Sequence, residues 1–264
     1  MVQARKVCLL KSAAVSLGIT VCLLGASCAS GQDATPDAAA VPMRNGMPDF
    51  NGVWVMADYD LVYLPQEHNP PYTDETRANV ERYRVQFEPV RDDPAQFCVR
   101  MGMPWRMLNR ARDYPVEIYQ TDQRVIMLFE GHDDYRSIRL DRTTAPENLP
   151  ASANGWSNAR WDGNVLEITT SNVTGRSGIN TLQRSEEAVI VERWELDNDP
   201  AYGGDIIRIE LTMTDPQRYT APVHARNVYM RAAAGIEVGG YNCADALWDE
   251  YLIGREEELA AQPE

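Results

Sequence analysis

The chain has 264 residues, with 39 Asp and Glu against 25 Lys and Arg, giving a formal net charge of −14 at pH 7. An excess of carboxylates on this scale repels nucleic acid and anionic headgroups, which excludes nucleic-acid binding as a function. The only lysines, Lys6 and Lys11, lie near the N-terminus, so a Schiff-base lysine, a lysine nucleophile and a P-loop lysine are excluded from the rest of the chain.

Residues 1–28 read as an export signal. Arg5, Lys6 and Lys11 form a basic start, Ser12 to Leu24 an apolar run too short to span a bilayer, and Gly25-Ala26-Ser27-Cys28-Ala29-Ser30 a small-residue boundary. Cys28 suits lipidation as a new N-terminus; cleavage after Ala29 or Ser30 fits the same residues. The expected location is the periplasm, or the outer membrane through a lipid anchor, of a Gram-negative-type bacterium. Residues 29–47 are rich in Ala, Ser, Asp, Pro and Gly and read as a tether, and residues 48–264 as a single domain.

Within that domain, Phe50 to Met56 predicts a first strand and Thr73 to Arg84 a helix, capped by Thr73 and started by Asp74 and Glu75. Residues 88–114 are rich in Pro and Arg and read as an ordered loop laid over a sheet. From Tyr114 to Thr170, short β-branched and aromatic runs alternate with turn residues, and Asp162-Gly163-Asn164 marks a hairpin. Ala188–Leu196, Ile206–Met213 and Val223–Arg231 are further strands. Ala244 to Ala260 is a helix with an apolar stripe of Leu247, Trp248, Tyr251, Leu252 and Leu259. Eight or more short strands predict an all-β domain, an antiparallel barrel or sandwich with a short N-terminal and a C-terminal helix.

Cys98 and Cys243 are the cysteines left after the signal. In an oxidising compartment they predict a disulfide, with two buried thiols as the alternative. His68, His132 and His224 show no metal-ligand spacing, and His132 falls at a turn that reads as a solvated hairpin tip. No cofactor and no metal are expected. No Gly-x-Ser-x-Gly is present.

Strand phase offers the candidate site. Glu192 shares a face with Ile190 and Trp194, Arg136 with Ile138 and Leu140, and Glu117 with Tyr119. A charge on an apolar face is costly unless paired, so Glu192, Glu117 and Arg136 are expected to point into one interior and meet. They are the catalytic candidates, as an acid or base with an orienting Arg; Tyr119, Trp194 and Arg136 are the ligand-binding candidates. A structural ion pair closing the barrel is the competing reading. Further aromatics, Trp105, Trp156, Trp161, Trp248, Tyr59, Tyr63 and Tyr135, either line a cleft or fill the core.

Gly52-Val53-Trp54 resembles the Gly-x-Trp that opens lipocalin-type barrels. A longer ordered series also exists. It runs through Cys98, Gly102 and Pro104, Glu117-Ile118, Gln120-Thr121, Arg124-Val125, Phe129-Glu130 and Arg136-Ser137-Ile138. It continues with Asp141, Trp161-Asp162-Gly163-Asn164, Glu192-Arg193, Asp215-Pro216, Tyr219-Thr220, Pro222 and Cys243. In this order it resembles a large group of exported bacterial β-rich proteins without an assigned activity. The resemblance implies an exported compartment and a β-rich fold, and no reaction. Members often carry histidines at two places where this chain has Ala145 and Arg184, so any chemistry served by those histidines is missing here.

Three functions remain. The first is binding of a small, partly apolar ligand in the barrel mouth. The second is acid–base lysis or hydrolysis of a small secreted metabolite. The third is an envelope interaction role without a ligand. A filled interior favours the third, a roomy apolar cavity the first, and a cavity with paired carboxylates the second. No pattern in the sequence encodes an oligomeric state.

Overall fold

The computed structural model describes residues 40–58, 70–88, 92, 94–97, 99–108, 114–174, 182–241 and 246–261. Cys28, Cys98 and Cys243, and with them the lipidation and disulfide expectations, lie outside the described residues, as do His68, Tyr59 and Tyr63.

Two short strands, β1 (Met43–Arg44) and β2 (Met47–Pro48), form a hairpin. Asn45 and Gly46 both take positive φ, 49° and 82°, as a tight two-residue turn requires. The expectation of a tether reaching residue 47 is therefore corrected at its end. The Asn-Gly pair is a hairpin signal, hidden by the polar composition around it.

The main body is a closed barrel of nine strands. These are β3 (Gly52–Asp58), β4 (Val116–Gln120), β5 (Arg124–Phe129), β6 (Asp134–Arg139), β7 (Trp156–Asp162), β8 (Val165–Ser171), β9 (Val189–Asp199), β10 (Gly204–Thr214) and β11 (Val223–Arg231). They follow one another around the wall in chain order, and β11 pairs with β3 to complete the ring. An odd-numbered ring cannot alternate direction throughout. The mismatch is taken up between β6 and β7, which pair in parallel over Ile138↔Ser157 and Arg139↔Asn158, after the loop of residues 140–155 has returned the chain to the other end. The expected all-antiparallel barrel is correct at every other seam.

One end of the barrel, where β4, β6, β7 and β9 finish and β3 begins, is called here the mouth. Phe50 lies just inside it, wholly buried. The opposite end is plugged by α2 (Trp105–Leu108), whose Met107 and Leu108 are buried together with the preceding Met103. Asn227 of β11 donates a hydrogen bond to the Met107 carbonyl, and Arg106 reaches Asp134 of β6 (3.1 Å) and the Gly131 carbonyl (3.1 Å). The segment expected to lie over a sheet instead stoppers the barrel. Gly102 makes this entry possible. It takes φ +66°, and a Cβ there would sit 1.9 Å from the Ala153 carbonyl oxygen.

Between the two ends the interior is packed. Trp54, Trp194, Ile118, Val125, Met127, Leu166, Ile168, Ile190, Ile209, Leu211 and Met213 belong to one continuous core. The Gly-x-Trp pair has a physical task in it. Gly52 leaves space for Arg231 of β11, whose guanidinium lies 4.2 Å over the Trp54 ring and donates to the Asn51 carbonyl (2.9 Å). Helix α1 (Asp74–Gln86) starts at Thr73 as its composition predicts, and helix α3 (Ala246–Ala260) packs Trp248 and Tyr251 against Phe97 in a second, smaller cluster.

Candidate ligand site at the barrel mouth

Two of the three expected interior charges meet. Arg136 and Glu192 are 2% and 0% exposed and form a two-pronged ion pair, Nη1 to Oε1 at 3.1 Å and Nη2 to Oε2. Inward phase on β6 and β9 brings them face to face across the wall formed by β7 and β8. Those strands supply the remaining partners. Arg136 Nε donates to Ser157 Oγ (3.2 Å) and Nη2 to Thr170 Oγ1 (2.8 Å). Trp194 Nε1 donates to Glu192 Oε1 (3.3 Å). Every nitrogen of the guanidinium has an acceptor, and both carboxylate oxygens have donors, which is the condition under which a charged pair tolerates burial.

Glu117 is not part of this cluster. In β4 the inward residues are Val116, Ile118 and Gln120, so Glu117 and Tyr119 share the outer face. Their common phase is as expected; the face is the opposite one. Apolar Val116 and Ile118 determine which side of β4 turns inward, and Tyr119 is left 46% exposed. There the Glu117 carboxylate, hydrogen-bonded to the Tyr119 hydroxyl, raises the phenol pKa above its ordinary value. Tyr135 is also outside, at 62% exposure. His132, expected at a solvated tip, is buried with φ 67° against the ring of Tyr241. Arg184 is buried and donates to the carbonyls of Met101 (2.7 Å) and Thr174 (2.9 Å). Burial pulls its pKa down to about 10.

Among the described residues, neither member of the central pair lines the cleft at the plugged end or the groove at the mouth. At the plugged end a cleft of about 30 Å³ lies between Arg106, Phe129, Gly131 and Tyr229, with room for roughly two waters. Burial lowers the Arg106 pKa and pushes the Tyr229 phenol far up.

The larger space is at the mouth. A groove of about 360 Å³ runs between the β1–β2 hairpin and the ends of β4, β6 and β7. Met47, Leu140, Ala159 and Trp161 give it an apolar side; Arg44, Asn45, Thr121, Asp122, Thr143 and Arg160 give it a polar rim. Leu140 and Trp161 continue the inward phase of β6 and β7 one step beyond the middle of the wall. Extending the period-2 pattern to the strand ends would have found both. Arg44, Asn45 and Met47 carry no such signal, because they reach the groove only through the hairpin fold. Gln120 closes the floor with both ends of its amide engaged, accepting from Phe50 N (2.9 Å) and donating to the Pro48 carbonyl (3.0 Å).

No family model and no curated protein matches this chain. Among solved structures it is similar to a mutant of the fluorescent protein UnaG, with 13% identity, an alignment covering 69% of this chain and 96% of that one, and a TM-score of 0.31. The barrel described above rests on its own strand registers.

Proposed function

We propose that this protein binds a small, partly apolar molecule at the barrel mouth. The observation that carries the reading is the groove of about 360 Å³, apolar on one side and polar on the rim, above an interior filled by side chains. Its volume falls in the range of small-molecule sites, about 300–1,000 Å³. Among the described residues the core is filled by side chains, so the ligand rests on the barrel rather than inside it. The acid–base reading loses its support, since Glu192 and Arg136 satisfy each other and line neither the groove nor the cleft.

Native mass spectrometry of the purified full chain tests the reading. The expected result is a small-molecule adduct, displaced in Thr143→Trp, which fills the groove from an exposed position. Protein without adduct after incubation with a concentrated extract of its own cells, or an adduct untouched by the substitution, would overturn it. The filled core also favours a second reading, an envelope interaction protein without a ligand. Protein that stays without adduct in that experiment is the result this alternative predicts.

Export belongs to the same proposal. The signal-like residues 1–28 support delivery to the periplasm, with Cys28 as the lipidated residue if the protein is anchored. Cell fractionation with N-terminal mass analysis is expected to find a processed chain in the envelope. Cytoplasmic protein that retains Met1 would refute export, and a mature start after Cys28 would refute the anchor alone.

A further inference from the structure

We infer that the mouth groove, if it is the ligand site proposed above, selects molecules that carry a planar aromatic ring. Three rings climb from the core to the groove. Trp194 is wholly buried and oriented by its bond to Glu192. Phe50 meets it edge to face, with centroids 5.9 Å apart and planes at 89°. Trp161 lies parallel to Phe50, at 6.0 Å and 2°. Trp161 is the outermost ring, half-buried, and the part not covered by Phe50 lines the groove.

The column is held rigidly from below. The Phe50 backbone accepts from Trp54 Nε1 (2.9 Å) through its carbonyl and donates to Gln120 Oε1 (2.9 Å) through its amide. Complete burial leaves the Phe50 ring little freedom to turn, and it gives Trp161 a fixed plane to lie parallel to. A preset aromatic plane costs little ordering entropy on binding. It also discriminates by shape. A flat ring covers the exposed indole surface and adds quadrupole attraction, whereas a flexible alkyl chain gains only area and loses more rotamer freedom. Leu140, Met47 and Ala159 add apolar surface to the same groove. Thr143 stands at the rim, where a hydroxyl or amide on the ligand's edge can hydrogen-bond, whereas the Thr121 hydroxyl is engaged with the backbone of its own turn.

The expected preference over a ringless molecule of equal apolar area is about three- to tenfold in affinity, the range of an added aromatic pair.

Calorimetric titration of the full chain with 1-naphthol and, separately, decan-1-ol tests this. The expected result is saturable 1:1 binding of naphthol. Trp161→Leu should weaken naphthol by threefold or more and change decanol by less than twofold. Trp161→Phe, which keeps a ring on Phe50, should retain naphthol binding. If Trp161→Leu fails to fold, Trp161→Met serves as the ringless variant. Naphthol binding that is unaffected by loss of the ring, or weakened no more than decanol binding, overturns the aromatic preference and leaves the mouth site standing. Failure of both probes to bind the unaltered chain overturns the mouth site and this inference with it.

Discussion

At the scale of single residues, the central polar feature of the barrel interior is the Arg136–Glu192 ion pair. Glu192 and Arg136 are legible as partners because each shares a strand face with apolar neighbours, and a lone charge there would be prohibitive. Ser157 and Thr170 are not legible, because a hydroxyl on a strand face gives no sign of what it will meet. Removing one partner leaves the other buried and uncompensated. Glu192→Ala should therefore lose about 3–5 kcal/mol of stability, read as a lower urea midpoint at unchanged slope. A loss below about 1 kcal/mol would show that the pair does not hold the wall together. Glu117 shows the limit of phase arguments. Alternation tells which residues share a face, and the apolar majority of the strand tells which face turns inward; Val116 and Ile118 outvote Glu117 and Tyr119.

At the scale of elements, most boundaries follow local chemistry. Helix α1 begins where Thr73 can accept from the Thr76 amide (3.3 Å), with Asp74 and Glu75 in the first turn. Thr73→Ala should cost about 1 kcal/mol, measured by chemical denaturation, with the barrel spectrum unchanged. No change in midpoint would mean that docking of the helix, rather than its cap, fixes its start. The β7–β8 hairpin forms as Asp162-Gly163-Asn164 predicts, with Gly163 at φ 61°. The two elements misread from sequence are the β1–β2 hairpin and α2. Both are too short to show periodicity, the first four strand residues around a turn and the second a single helical turn. Each is defined by what it packs against. The β1–β2 hairpin stands over the mouth, and α2 stops the other end.

At the scale of the whole molecule, closing the barrel buries groups that resist ionisation. Burial raises the phenol pKa of Tyr72, Tyr219 and Tyr229 above the ordinary value of 10.0. Below that value both folded and unfolded chains keep these protons, and the tyrosines add no pH dependence. Above it the unfolded chain releases protons that the folded chain retains, so unfolding becomes more favourable as pH rises. Arg184, pulled down to about 10 by burial, and Arg106, lowered by the same cause, work in the opposite direction below their ordinary 12.5. The phenols are more numerous, and the net expectation is a thermal midpoint that falls above about pH 10. Tyr229→Phe should show a shallower fall than the unaltered chain. Parallel curves for the two proteins would show that the Tyr229 proton is not linked to folding.

The sequence by itself determined the all-β class, the position of nearly every long strand, the two terminal helices and the meeting of Arg136 with Glu192. All of these depend on short-range rules: alternation along a strand, turn residues at fixed offsets, and the cost of an unpaired buried charge. Only the tertiary structure decided that the ring closes with nine strands and one parallel seam, that α2 fills one end, and that a groove of about 360 Å³ opens at the mouth. Those outcomes depend on which distant surfaces fit together. Met47 and Trp161 share a groove because closure brings a hairpin at one end of the chain beside a strand more than a hundred residues later. No periodicity in either segment records that encounter.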